Sequence, residues 1–476
     1  MRKSAGRIRK LHRRRQKEDR ISDLPDEVLH RILSSLSTKS VARISLVSKR
    51  WRSLWYSSPY LDFSDVNPQV ITQILDLRRN VFCIKLFRMT GSLGFRRFLD
   101  CIDRVKKQGV KKLELDICLT DRSILPFPSF TCDSLRNLRL RAKYRWNSYN
   151  YSDMILEFPT SYDAVAESLG SLHSLSLTGL HFLNGSFVAD LFSATSFPVL
   201  RKLSLDNCTG ILISLNVSCP ELEELELHHV MINGLNVFGT RLKVLSVKHS
   251  LQNTDNNSWT RISASSLQTF YWKGNEITEN CAIMSFPNLR RSYISYFPFS
   301  ARKKNSAINL VSAISRSHHL EISFDSLEIF STIGSAGDLR FSFINLRILE
   351  LQYVLISRDS IAVIACLLIN SPMLKTLIIE ARKQRSNPMY NDEGWDSHIH
   401  CFGLLDHLEV VKITAWGCQR YEKGVLAITR FLLEHGRVLR DMTINLEASS
   451  NWRSIFKSFT RKISKAHGLP VPPDEN

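Results

Sequence analysis

Residues that break or unfold a chain are scarce in this sequence of 476 residues, which holds nineteen glycines and fifteen prolines beside 43% hydrophobic content. That balance excludes collagen-like and low-complexity classes and belongs to folded protein, at a length exceeding one ordinary core. Long apolar runs are missing. The longest, IAVIACLLI at 361 to 369, has nine residues, less than half of the roughly 20 a membrane helix needs, and is expected to be a buried helix or strand. Ten cysteines lie scattered with no C-x-x-C pair; they are expected as reduced thiols acting as small buried hydrophobes. The sequons Asn184-Gly-Ser and Asn216-Val-Ser are accordingly expected to carry nothing. The first twenty residues lack an apolar signal core, so a soluble intracellular protein, in the nucleus and/or cytoplasm, is the expectation.

Catalytic signatures are absent too. There is no G-x-x-x-x-G-K-[ST] phosphate loop, no G-x-S-x-G elbow and no H-E-x-x-H metal helix, so no catalytic residue is expected. His398, His400 and Cys401, near Asp392 and Asp396, lie close enough to suggest metal ligands. A closed zinc site needs four ligands, however, and no second cluster matches; a polar loop is expected, with no metal and no cofactor. The pairs His228-His229 and His318-His319 read as polar positions at strand ends.

Charge is unevenly placed. Of the net +19, nine positive charges sit in MRKSAGRIRKLHRRRQK, which has no carboxylate before Glu18, leaving +10 for the remainder. Self-repulsion should keep residues 1–19 extended and solvated. Their two basic clusters resemble a nuclear import signal; a solvated terminus, or an anchor to nucleic acid or anionic lipid, is the competing reading.

In residues 20–63, Leu24-Pro25 opens a segment whose Val28, Leu29, Ile32, Leu33 and Leu36 recur at helical spacing. Pro25 suits a first turn, where its missing N–H costs nothing, and Asp26 and Glu27 oppose the positive end of the helix dipole. Ser37 to Ser40 supply hydroxyl caps for a second stripe of Val41, Ile44 and Val47, and Ser48 caps a third helix carrying Trp51, Leu54 and Trp55. So small a unit has too little interior for all this apolar surface, and some must meet a partner. The ordered set DLPDEVLHRILSSL, LVSKRW and a second Trp resembles the F-box of plant proteins, with Ser37 where that family often has Pro. The resemblance implies docking on the Skp-type adaptor of cullin ubiquitin ligases, through Leu24, Pro25, Leu29, Ile32, Leu33 and Trp51.

Beyond the F-box the pattern L-x-x-L-x-L returns along the chain. It begins at Val81, Val110, Leu135, Leu172, Leu200, Leu222, Leu242, Leu267, Leu289, Phe324, Leu346, Leu374, Leu408 and Leu439. This is the pattern of a leucine-rich repeat: one short strand per turn of a solenoid, its last two apolar residues inward and the one between them outward. Three residues past the last apolar position, where such repeats often carry Asn or Cys, stand Cys118, Cys208 and Asn275; elsewhere the position is apolar, as at Leu180, Val230 and Val354. Pro198, Pro220, Pro287 and Pro372 stand two before a leader, where proline would stop a helix before the strand.

Residues from Cys401 to Leu446 resemble the FBD region of many plant F-box proteins, with Val425, Ile428, Leu432 and Leu433 marking a helix within Lys423 to His435. The expected architecture is α/β, a leucine-rich-repeat solenoid preceded by a small three-helix F-box. It comprises a basic tail (1–19), the F-box (20–63), an irregular solenoid (64–397), FBD-like repeats (398–450) and a disordered tail (451–476).

Two functions compete: a substrate receptor whose solenoid holds a protein for ubiquitination, and a nucleic-acid module with an F-box-like cap. The expected outward strand positions are Lys85, Glu114, Arg139, Ser176, Ser204, Glu226, Ser246, Tyr271, Tyr293, Glu328, Glu350, Ile378, Lys412 and Thr443. Four acids against three bases do not make a surface for phosphate backbones, so a protein target is expected, with neither nucleic acid nor membrane. The closest-spaced repeats, Leu172 to Leu289, carry Ser246, Lys248, Tyr271, Lys273, Arg291 and Tyr293, aromatics among bases, and these are expected to bind the target. For the tail, changing Arg13, Arg14 and Arg15 to Ala is expected to move a fluorescently tagged protein toward the cytoplasm; an unaltered distribution in imaged cells leaves it a solvated terminus.

Overall fold

The computed structural model describes residues 21, 24–64, 66–78, 83–121, 124–142, 154–159, 161–210, 214–251, 257–295, 303–323, 326–327, 330, 342–354, 358–381, 405–416 and 422–447. The chain divides into two compact units, Met1–Leu125 with Ser129–Asn150 and Pro126–Pro128 with Tyr151–Asn476.

In the first unit, helices α1 (Asp26–Leu33), α2 (Thr38–Ile44) and α3 (Lys49–Ser57) precede strand β1 (Tyr60–Phe63). Helix α4 (Ile71–Asp76), strand β2 (Leu86–Leu93), helix α5 (Phe95–Lys107) and strands β3 (Lys112–Leu119) and β4 (Asn137–Ala142) follow. The strands pair parallel in that order, with Asp62, Arg88, Glu114 and Arg139 aligned across them. On the other face Leu61, Phe63, Phe87, Met89, Leu113, Leu115, Leu138 and Leu140 are buried.

The second unit continues the pattern with β5 (Ser174–Thr178), β6 (Lys202–Asp206), β7 (Glu224–His228), β8 (Val244–Lys248), β9 (Thr269–Lys273) and β10 (Arg291–Ser295). It ends with β11 (His319–Ser323), β12 (Ile348–Val354), β13 (Thr376–Ala381), β14 (Val410–Trp416) and β15 (Asp441–Glu447), each parallel to its neighbours. The return paths differ. Helices Lys304–Ile314, Arg358–Ile369 and Glu422–His435 serve the later repeats, so the IAVIACLLI run is helical and the Lys423 to His435 pattern is as expected. The middle repeats return instead through a second parallel sheet, Ser214–Val217, Gly234–Phe238, Trp259–Ser263 and Asn280–Ile283. Among the described residues no helix is long and apolar enough to cross a membrane.

Three features build each repeat. The leader's N–H closes a tight turn onto the carbonyl three residues earlier, as in Leu200 to Phe197, Leu222 to Cys219, Leu289 to Phe286 and Leu374 to Ser371. Pro198, Pro220, Pro287 and Pro372 hold the second position of these turns, where their fixed φ fits and no donor is needed. Before Pro220 and Pro287 the chain is strand rather than helix, so proline shapes a turn there instead of ending a helix. The carbonyl after the leader then accepts two amides of the next repeat: Arg201 O from Glu223 and Glu224 (2.8 and 3.0 Å), Glu223 O from Lys243 and Val244 (2.8 and 3.0 Å). Finally, left-handed residues turn the chain at strand ends, with φ of 50°, 51°, 49° and 62° at Asn207, His229, His249 and Gly274. A Cβ on Gly274 would lie 2.1 Å from the His249 ring, which itself stacks on His229 at 5.0 Å.

Two repeats sit elsewhere than expected. The first runs from Ile84, with Phe87 and Met89 inward and Arg88 outward, so Lys85 is not its outward residue. The strand assigned to Phe324 is β11, which puts Glu321, not Glu328, between Tyr293 and Glu350. Glu328 lies outside the described residues, as do His398, His400, Cys401, Asp392 and Asp396. The described cysteines are free, and burial pushes the Cys208 thiol up to about 12.

The Asn position is filled by a polar ladder. Asn275 is fully buried; its Oδ1 accepts from the Ser250 and Leu251 amides (2.8 and 3.1 Å) and its Nδ2 donates to Val247 O (2.7 Å). Ser250 acts similarly in the preceding repeat, accepting from Val230 N at 3.2 Å. Replacing Asn275 by Ala strands these main-chain groups and is expected to cost about 3 kcal/mol in chemical denaturation.

Candidate functional site

The three N-terminal helices have a core of their own. Leu29, Leu33, Val41 and Leu54 are buried together, with Leu24, Ile44, Trp51 and Trp55 packed around them. Ser37 and Ser48 cap α2 and α3 by accepting from the Ser40 and Trp51 amides. His30 Nε2 donates to Leu54 O at 3.2 Å and ties α1 to α3. Arg50 Nη2 donates to Leu24 O at 2.6 Å and pairs with Asp26 at 3.0 Å, holding the N-terminus of α1 against α3.

What this core leaves outside decides what can dock. Of the residues named for docking, Pro25 and Ile32 are exposed, Leu24 and Trp51 are half-buried, and Leu29 and Leu33 are interior. A side chain wholly inside its own unit cannot meet a partner without unfolding, so Leu29 and Leu33 hold the unit together instead. In their place Val28 joins Ile32 on the outer face of α1, Leu36 is exposed just beyond its end, and Leu46 and Val47, 77% and 74% exposed, follow α2. The helical stripe contains Val28 and Leu36. For Leu46 and Val47 the signal is an apolar pair wedged between two helix caps, where no helix face could bury it.

One residue that the sequence does not single out joins these helices to the first repeat. Arg78, only 2% exposed, follows α4 and donates from Nη1 to Trp55 O at 2.5 Å and from Nη2 to Ser58 O. Its guanidinium also lies 5.3 Å from the centroid of the Trp55 ring. Burial pulls its pKa down to about 10, yet it stays charged at neutral pH, opposite the carbonyls and negative dipole end of α3.

On the strand face of the second unit, Lys248 lies over Tyr271 (5.7 Å) and Lys273 over Tyr293 (6.0 Å), with the two rings 6.0 Å apart. Ser246 and Tyr293 are buried, Ser246 beside His228 Nε2 at 3.2 Å, so Lys248, Tyr271, Lys273 and Arg291 form the accessible portion of the expected patch. The face then turns acidic. Burial, with Glu350 and Glu380 nearby, pushes the Glu321 carboxyl up to about 7 against the opposing pull of Arg291 and Lys273. Gln352 Nε2 donates to Glu321, and His319 Nε2 lies 3.3 Å from Glu350. Burial lowers the His319 pKa, helped by Arg291. Among the described residues no group of three His, Cys, Asp or Glu side chains could hold a metal.

A carboxyl whose pKa rises on folding takes up a proton, so its contribution is present at low pH and is lost as pH rises through about 7. Glu321→Gln is therefore expected to raise the melting midpoint at pH 8 and to do so far less at pH 5.

Comparison with known proteins adds the following. The F-box domain family pattern matches residues 21–62. An F-box/FBD/LRR-repeat protein of Arabidopsis thaliana is 30% identical over 458 residues, covering 90% of this chain and 89% of that protein. Another protein so described is 24% identical, over 95% of this chain and 98% of its own length. An FBD-associated F-box protein of the same plant is 26% identical over 91% and 89%.

Proposed function

Because this chain belongs to the plant F-box/FBD/LRR-repeat proteins, we propose that it is the substrate-recognition subunit of a Skp–cullin–F-box ubiquitin ligase. F-box domains generally bind Skp-type adaptors, and members of this family are generally adaptor subunits rather than enzymes. The observation that carries the reading is the set of apolar side chains left exposed although the three helices have filled their own core: Val28, Ile32 and Leu36 on and just after α1, and Leu46 and Val47 after α2. Exposed apolar side chains grouped in so short a segment are what a partner covers. Through the adaptor the chain would reach a cullin, while its strand faces hold a protein target. The chain would act by proximity and perform no transfer itself.

The composition of the strand faces supports a protein target over nucleic acid. Asp62, Glu114, Glu226, Glu321 and Glu350 stand among the outward positions, and a phosphate backbone crossing any of those strands would meet repulsion there. Target contact is proposed at Lys248, Tyr271, Lys273 and Arg291, where a ring and three cations stand together. Affinity capture with the proteasome inhibited, compared between the wild type and a docking variant, tests the whole reading; capture of no adaptor by the wild type rejects it.

Docking and folding separate cleanly by residue. Ile32→Ala is expected to weaken adaptor binding about thirtyfold, roughly 2 kcal/mol, with the thermal midpoint unchanged. Leu29→Ala is expected instead to destabilise the helices by about 3 kcal/mol. A pulldown titration alongside thermal melts distinguishes the two.

A further inference from the structure

The carbonyl just after each leader ties a repeat to the next, and the side chains of those same residues form a row along the edge where the strands begin. Before β10, β11, β12 and β13 the row reads Arg290, His318, Arg347 and Lys375, all exposed. Their main chains are joined in that order: the His318 amide donates to Arg290 O (3.1 Å), the Arg347 amide to His318 O (2.9 Å) and the Lys375 amide to Arg347 O (3.0 Å). Neighbouring members therefore stand about 4.8 Å apart across the strands. Arg316, also exposed, is on the turn that leads to His318.

Charge along this edge is balanced in the middle repeats and unbalanced here. In the middle, Lys243 pairs with Glu223 at 2.6 Å and Arg241 pairs with Glu221. The turns 286–290, 315–318, 342–347 and 371–375 hold no acid at all, and among the described residues Arg290, Arg316 and Arg347 have no ion-pair partner. Lys375 closes the patch, because Glu409 takes its ammonium at 2.9 Å. The nearest acids on these strands, Glu321 and Glu350, lie three residues farther along, about 10 Å away, and are engaged by Gln352 and His319. Two apolar side chains complete the patch. Ile344 and Met373 are 56% and 46% exposed, on turns joined by the Phe343 amide donating to Asn370 O at 2.8 Å.

We infer that this edge docks an extended acidic segment of a partner protein, one with two carboxylates three residues apart and an apolar residue beside them. Arg290 and Arg347 are two strands apart, about 10 Å, and three residues of extended chain span the same distance. Each guanidinium offers a fork that a carboxylate fills with two parallel hydrogen bonds. An apolar side chain of the segment would cover Ile344 and Met373 and keep water from the ion pairs. A nucleic-acid strand would need aromatic side chains to stack on, but Phe286 and Phe343 of these turns are buried. A bilayer would need Trp, Phe or Leu to enter it, and these turns expose none, since Leu289, Leu346 and Leu374 are interior. The edge is separate from Lys248, Tyr271 and Lys273 on the strand face, and docking here does not depend on the N-terminal helices meeting an adaptor.

The test titrates the full chain with two labelled peptide pools of random flanks, one built on Asp-x-x-Asp-Leu and the other on Asn-x-x-Asn-Leu. The acidic pool is expected to bind about tenfold tighter, and more weakly as salt rises. Arg290→Gln with Arg347→Gln should abolish that preference and leave the melting midpoint unchanged, since both side chains are exposed. Ile344→Ser should weaken binding of the acidic pool about threefold, whereas Lys248→Gln should leave binding and preference intact. Equal binding of the two pools overturns the proposal, as does a preference that survives in the double arginine variant or binding that Ile344→Ser does not alter. Tighter binding of a single-stranded oligonucleotide, or of phosphatidylserine vesicles, than of the acidic pool overturns it too.

Discussion

A single carbonyl in each repeat, accepting two amides from the next, is the contact on which the rest of this molecule depends. From Arg201 O through Glu223, Lys243, Gln268, Arg290, His318, Arg347, Lys375 and Glu409, the same bifurcated arrangement recurs without a break. It sets the parallel register at the start of each strand, which holds up to one irregularity between Leu351 and Val354, and register is what sends alternate side chains to opposite faces. Because only main-chain atoms are involved, the intervening return path is free to vary. That is why helices, a second sheet and irregular turns can all serve as the outer wall of one stack.

The same register explains how the faces acquired different chemistry. Inward positions are bound to the core and admit little but leucine, isoleucine, valine and phenylalanine. Outward positions carry no such duty, and charge accumulates there in an order set by neighbours: Lys202 between Glu224 and Glu226, Arg88 between Asp62 and Glu114. Where acids crowd together, as at Glu321 and Glu350, the surface is left with an unmet electrostatic preference. Such positions are the natural places for something else to bind.

Much of the fold is legible in the leucine leaders and their spacing, and two of the failures share one physical cause. The apolar period misplaces strand β11 and misses β1 because their leaders are serines, Ser317 and Ser58, at positions where the repeat calls for leucine. Both are buried, and each satisfies its hydroxyl locally. Ser317 lies 2.6 Å from the Ser292 hydroxyl and donates to Ile314 O at 2.6 Å, while Ser58 donates to Tyr60 O at 3.1 Å. A search for apolar period has no means of recognising a core position held by a paired hydroxyl. The docking face is less legible than the fold. Spacing alone groups Leu29 and Leu33 with Ile32 on one stripe, and only three-dimensional packing shows that the stripe's middle faces inward and its margin outward. Arg78 is invisible for a different reason: its partners are carbonyls, which leave no mark in side-chain pattern.

That choice of partners has an evolutionary consequence. A joint made to the main chain of Trp55 and Ser58 asks only that the third helix end where it does. The exposed side chains along that helix can therefore vary without disturbing the two carbonyls that Arg78 holds. On the other side of the joint the contacts come from one side chain, Arg78. Lysine there would place one ammonium where a forked group now spans two carbonyls, so even this mild replacement would loosen the hinge. Changes to the exposed residues of the helices and to the outward positions of the strands would therefore leave this joint intact, provided the arginine stayed in place.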